Sequence, residues 1–394
     1  MDPRGRKLGG IETHVRLLLA AHPEDFTVLF VGIDEIGDCA IGEVTRIVFD
    51  GRAIEFLPVL HADQAGINIA ATTLGGSLTL RFAASALRHL GTLRHALGRG
   101  ACSAEIERYE FAFLPKLLRL PSVQWVHNEA SKDDRMDSLL KRYWFVHTAA
   151  ERIALALAGR IIAVNASIAA HIARLSSRAA KKTEVMSVSV DTRRFRPTPF
   201  DLHDGVFRVC FAGRLDEFKD PPLMFDVLAR LQTKLEGKLE FHYVGPTDPA
   251  RYPEFAKAEA FTTRHGPQNP DGVRAIMARC HAGILTSYFE GLPCYLLEML
   301  ASGRPVGAID LPQYAPLILP GISGALVPRS DTPEICAEAL ADAFVSLWQE
   351  IGEALIDPPR LHELIQPYSV ETQFGRLFEM HRALQDAGAV TTSR

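Results

Sequence analysis

Eight short runs, FTVLFVGI (26–33), IEFLPV (54–59), VQWVH (123–127), GRIIAVN (159–165), FRVCFAG (207–213), LEFHYVG (239–245), AGILTS (282–287) and RPVGAID (304–310), are apolar almost continuously instead of at every second position. A strand with one wet face alternates. A continuous apolar run is buried on both faces, which requires helices on each side of the sheet, and helical periodicities do alternate with these runs. The expected class is therefore α/β, with doubly wound parallel sheets. Each run is bounded by Gly, Pro or Asn, as strand ends should be.

A chain of 394 residues, 47% apolar and 23% charged, can bury two such cores. Periodicity lapses near VDTRRFRPTPFDLHDG (190–205), where prolines and arginines gather, and the predicted domains are residues 1–197 and 198–365. Residues 366–394 read as a C-terminal amphipathic helix with a frayed tail. The six cysteines form no C-x-x-C pair and no His-Cys cluster, so neither a disulfide framework nor a metal site is expected. No apolar run reaches the roughly 18 to 20 residues of a membrane span, and the first ten residues lack a signal peptide's apolar core. A cytoplasmic location is the expectation. Residues 1–197 carry 26 Lys+Arg against 21 Asp+Glu, and the remainder 17 against 26. The basic first half suits peripheral contact with an anionic membrane surface or a phosphorylated acceptor, and equally a solvated surface. No Walker A sequence and no G-x-G-x-x-G after a strand occurs, and nothing points to nucleic acid.

Chemistry-bearing residues sit where apolar strands end. After FRVCFAG the loop carries Arg214 and Lys219, and Asp220 with Pro221 predicts a helix N-cap and first position. Two cations at the C-terminal end of a parallel strand suit a diphosphate, although an exposed loop with two solvated cations fits as well. In AGILTSYFEGLPCYLLEMLASG, Glu290 lies on a loop and Glu298 on the helix expected to start near Pro293 and to be capped by Gly303. Backbone N–H groups at Gly291, Leu292 and Cys294 would favour an anion there. Sugar hydroxyls on the acids, a carboxylate pair for glycoside hydrolysis, and a plain loop acid plus helix-start acid all remain open on this segment alone. His127 ends a buried strand, as a structural histidine or a donor to substrate. His14, His147, His171, His242 and His265 have weaker cases. Gly9 and Gly10 precede an apolar helix in KLGGIETHVRLLLAA, a turn expected to be permissive.

Taken in order, GG-I-E-x-H-V, WVHNE, AGRLDEFKDP, HGPQNPDGVRAIMARCHAGILTSYFEGLP, the Glu290/Glu298 spacing and MLASGRPV resemble the retaining glycosyltransferases of family 4, the glycosyl transferases group 1, across nearly the whole chain. The resemblance implies the GT-B fold of two facing Rossmann-like domains, acceptor-side first and donor-binding second, with the last helix returning to the first. It implies transfer from a nucleoside diphosphate sugar to a glycan, lipid-linked or small-molecule acceptor, with retention, no cofactor and no metal. Arg214 and Lys219 would bind the diphosphate and stabilise the leaving phosphate. Glu298 would accept from ribose hydroxyls, and Glu290 would face the transferred sugar with the N–H groups of Gly291 and Leu292. His127 would contact the sugar near the reacting carbon, Gly9 and Gly10 would let a loop approach the donor phosphate, and the base would rest near Arg264 and His265. The hydrolase alternative leaves Arg214 and Lys219 unexplained. Two others are a non-catalytic nucleotide-sugar-binding relative and a sugar-nucleotide epimerase.

The sequence departs from that family twice. A buried strand precedes the glycine pair in relatives, where here only MDPRGRKL stands, so the expectation is a true start further upstream. VMSVSVDTRRF lacks the relatives' Pro-Asn-Gly turn, with Val188 and Ser189 in its place. Acceptor recognition is expected in first-domain loops, including residues 62–77.

Overall fold

The eight apolar runs all become strands, and among the described residues five further strands join them. The structure is a computed structural model that describes residues 1–5, 9–63, 77–98, 100–127 and 144–392. The chain divides into two units, residues 1–187 with 370–394, and residues 188–369. The boundaries expected from sequence, after 197 and after 365, lie ten residues later and four residues earlier than these. Val188 to Val190 fall in unit two because Val190 bridges to Ser369, with its N–H donating to Tyr368 O at 3.0 Å.

Unit one contains β1 (Leu29–Asp34), β2 (Thr45–Phe49), β3 (Arg52–His61), β4 (Ala104–Ile106), β5 (Ser122–Val126), β6 (Arg160–Ala163) and β7 (Thr183–Val185). They form two sheets, ordered β1-β3-β2 and β4-β5-β6-β7. The second is all parallel, and β5 is buried at every position. The first departs from the parallel expectation, because β2 and β3 form an antiparallel hairpin. Its turn is Asp50-Gly51 with φ of 48° and 78°, the pair of left-handed residues that matches the strands' twist. Among the described residues no strand precedes α1 (Gly10–Ala21), and the outer edge of β1 meets Met1, whose carbonyl accepts from Ile33 N at 3.1 Å. The last helix, Val370–Thr392, belongs to this unit: Phe374 packs on His14, Phe378 on Phe26, and Arg382 pairs with Asp25.

Unit two is one six-stranded parallel sheet, ordered β10-β9-β8-β11-β12-β13. Its strands are β8 (Phe207–Ala212), β9 (Leu239–Val244), β10 (Thr262–Arg264), β11 (Ala282–Leu285), β12 (Val306–Ile309) and β13 (Gly324–Val327). Helices α2 (Pro221–Lys234), α3 (Pro270–Met277), α4 (Cys294–Ala301) and α5 (Pro333–Gly352) lie between and after them. Strands β11 and β12 are buried throughout, the physical meaning of their unbroken apolar runs. Arg304, two residues before β12, is fully buried, and its guanidinium donates to Thr198 O and Oγ1, Pro199 O and Ala278 O. No described helix is long and apolar enough to cross a membrane. Most of residues 62–77, and Asn128 and Glu129 after His127, lie outside the described residues.

Candidate active site

The order of unit two sets β8 beside β11, so the loops after both strands leave the sheet at the same end. The β8 loop carries Arg214 and Lys219 into α2, and the β11 loop carries Glu290 into α4. The two loops are tied by backbone and side chain. Tyr288 N donates to Phe218 O at 2.8 Å, and Thr286 Oγ1 to Lys219 O at 2.7 Å, while Phe218 stacks on Phe289. Asp220 caps α2 as the sequence predicts, its side chain accepting from Leu223 N at 3.4 Å with Pro221 in the first turn.

This framework brings Lys219 and Glu290 together. Lys219 Nζ lies 2.5 Å from Glu290 Oε1, with both side chains mostly buried, at 15% and 11% exposure. Ser287 Oγ donates to the same oxygen at 2.9 Å, and Gln313 donates to the Glu290 carbonyl at 2.7 Å. Lys219 also lies 5.0 Å above the Phe218 ring. Glu298 is one helical turn into α4, and burial pushes its carboxyl up to about 7. Between the two acids stands Cys294, whose thiol is raised to about 12, by burial first and then by Glu298. Gly291 and Leu292 lead into α4, which begins after Pro293 and ends at Ala301, with Ser302 as its C-cap and the expected Gly303 one residue further on.

The other expected residues are placed differently. Arg214 is the exposed cation of the pair, 54% accessible and bound to Asp216 at 3.0 Å. Arg264 is taken up by Asp248 and Glu259 at 3.1 and 2.9 Å. His265 Nε2 meets His242 Nδ1 at 3.0 Å in a stacked pair, and burial lowers both imidazoles, His242 to about 4. A separate cleft of about 450 Å³, lined by Arg193, Arg194, Arg196 and Arg274 among others, includes none of these residues.

Gly9, Gly10 and His127 belong to unit one. Gly9 is extended, with φ 173°, and caps α1, while Gly10 is its first residue, so neither uses glycine's freedom in φ. The expected permissive turn is therefore absent, and a Cβ at Gly10 would meet only open space. His127 ends β5 as expected, stacked on Trp125, with Nε2 2.7 Å from Glu107 Oε2. Burial lowers its imidazole to about 3 and raises the Glu107 carboxyl well above its usual range.

Arg329, just beyond β13, was not singled out by sequence. Its guanidinium donates to Asp220 Oδ2 at 2.9 Å and to the carbonyls of Thr286 and Ser287, and lies 3.9 Å from the Tyr288 ring centroid. One side chain thus joins the Lys219 and Glu290 loops. A lone arginine after a short strand carries no motif, and only the tertiary arrangement reveals this position.

Residues 206–349 match the family model described as glycosyl transferases group 1. No curated protein sequence matches the chain. Among solved structures, sucrose-phosphate synthase from Thermosynechococcus elongatus is similar with a TM-score of 0.71 at 17% identity, over 97% of both chains. Anabaena HepE in complex with UDP and glucose has a TM-score of 0.64 at 15% identity, covering 96% of this chain and 97% of that one. The lipopolysaccharide outer core galactosyltransferase WaaB has 0.57 at 15%, over 94% and 100%. At these identities the likeness is one of fold, and it spans both units. The chain has the GT-B fold, and its segment 206–349, which holds Lys219, Glu290 and Glu298, matches the glycosyl transferases group 1 family model.

Proposed function

We propose that this chain is a retaining, family 4 glycosyltransferase that moves a sugar from a nucleoside diphosphate donor to a glycan, lipid-linked or small-molecule acceptor. The observation that carries the reading is the Lys219–Glu290 pair at adjacent strand ends beside the α4 start and Glu298. UDP is the first donor nucleotide to test, since HepE is described in complex with it.

In this reading the donor diphosphate takes the place of Glu290 as partner of Lys219, with Arg214 swinging in from the surface. Glu290 is then released toward the sugar hydroxyls, and Glu298 accepts from the ribose. The bond from the anomeric carbon to the diphosphate oxygen breaks as a bond to the acceptor oxygen forms on the same face. The acceptor's proton passes to the leaving phosphate. Lys219, poorly hydrated and held by its loop, stabilises charge as it develops there, which is where fixed charges accelerate a reaction most. These two cations supply the charge that a diphosphate-bound metal would otherwise give. His127, neutral and oriented by Glu107, would contact the transferred sugar, and Gly10 would leave room for the donor phosphate. Arg264 and His265 would border the base through backbone groups, their side chains being engaged. Acceptor recognition belongs to unit one, with the chain working in the cytoplasm or at a membrane's inner face.

The test is transfer from a panel of UDP-sugars with Glu290→Ala alongside. Turnover with an α-linked product from an α-linked donor is expected, falling at least about 100-fold in the variant while nucleotide affinity changes about 10-fold or less. A folded chain that binds nucleotide and transfers nothing would favour the non-catalytic relative.

A further inference from the structure

We propose that unit one holds a divalent transition-metal ion, zinc by its ligand chemistry, between His14, Glu105 and Glu107. Glu105 lies on β4 and Glu107 just past its end, two residues apart, and α1 carries His14 to them. One ligand atom from each residue lies within 4.8 Å of the others. Around a tetrahedral ion with bonds of about 2.0–2.1 Å, ligand atoms stand about 3.4 Å apart, so side-chain shifts of about 1 Å close the site.

Independent of that spacing, the cluster contains polar atoms with nothing to bind. His14 is fully buried, and neither ring nitrogen has a hydrogen-bond partner among the described residues. Its Nε2 points at Glu107 Oε1 from 3.7 Å, and that oxygen is also buried and unsatisfied. Buried polar atoms are rarely left so, and a shared ion satisfies both. The remaining carboxylate oxygens are already held. Glu105 Oε1 accepts from Trp125 Nε1 at 2.8 Å, Glu105 Oε2 meets His381 Nε2 at 3.1 Å, and Glu107 Oε2 meets His127 Nε2. Ser103 in turn fixes His381 through Nδ1 at 2.8 Å. Such outer partners are what aim first ligands at a metal.

Charge points the same way. Two neighbouring buried carboxylates need a proton or a cation, and a dication with a neutral imidazole balances them. One nitrogen and two oxygens suit zinc; calcium would require six to eight oxygens. The other compact group, Asp34, Asp38 and Cys39, already has a counter-charge in Arg4, which pairs with Asp38 at 2.8 Å. An ion at His14 would also hold His127 in place through Glu107. The inference stands independently of the donor reading, because it needs no nucleotide.

The full-length chain, stripped with a chelator, would be titrated calorimetrically with zinc alone, and its cobalt form examined by visible absorption. Saturable one-to-one zinc binding is expected, with a higher Tm in zinc. Glu107→Gln, which keeps the side chain's shape, should weaken affinity at least about 10-fold, and Asp38→Asn should leave it unchanged. The cobalt spectrum should show tetrahedral ligand-field bands without thiolate charge transfer. Absence of saturable binding, binding unaltered by Glu107→Gln, or a thiolate band that disappears in Asp38→Asn would each overturn the proposal. Should Glu107→Gln not fold, the cobalt spectrum of the unaltered chain decides alone.

Discussion

Glu298 enters α4 with its carboxyl raised by burial to about 7, so a fraction is protonated at neutral pH. A carboxylate that accepts from ribose hydroxyls favours the deprotonated form, and nucleotide affinity should therefore rise from about pH 6 to about pH 8. Glu298→Gln should flatten that profile in calorimetric titrations. The sign for folding is opposite. An acid protonated in the folded state and ionised in the unfolded one binds more protons when folded, so its contribution is lost as pH rises from the ordinary carboxylate range through about 7. Lys219→Ala should lower turnover about 100-fold or more, and Arg214→Ala less, because only Lys219 is buried and preorganised. Steady-state rates with a fixed donor separate the two. The types of these residues and their strand-end positions were legible in the sequence. Their pairing was not: nothing in the spacing of Lys219 and Glu290 says that they meet, or that Arg329 joins their loops.

Strands β11 and β12 announce themselves because burial on both faces leaves no polar position in the run. β2, β4, β7, β10 and β13 do not, being short or half exposed, as TRIVF, AEI, TEV, TTR and GALV show. The hairpin of β2 and β3 was missed although its Asp-Gly turn stood in the sequence at 50 and 51. At the far edge of unit two, Gly324 has φ 146°, and a Cβ there would lie 2.0 Å from Val306 O in the paired strand. Gly324→Ala should cost about 3 kcal/mol and lower the Tm of unit two, measured by thermal melts. Arg304→Met should cost a similar amount, about 3 kcal/mol, by leaving carbonyls near Thr198 and Ala278 unpaired. The motif ASGRPV gives no hint of this role, since burial of this arginine depends on carbonyls 26 residues away at Ala278 and 106 away at Thr198.

At the level of the molecule, the chain leaves unit one, completes unit two and returns. A chain ended after Ser369 should therefore lose cooperative unfolding of unit one while unit two keeps its own transition, because Phe374, Phe378 and His381 fill unit one's core and polar cluster. Limited proteolysis would read this directly, with cleavage confined to residues 1–187. The alternation of buried strands and helices made the class readable, and the ordered motifs made the GT-B fold readable, whereas the two-sheet build of unit one depends on pairing that no local pattern encodes. The central claim is that unit two holds a nucleoside diphosphate at Lys219, Glu290 and Glu298. Calorimetric titration of the full chain with UDP, GDP and ADP, repeated on Glu298→Ala, tests it most directly. Selective binding of UDP, weakened about 10-fold or more by the substitution, is the expected result. A folded chain that binds none of the three, or binds one equally well without Glu298, would contradict it.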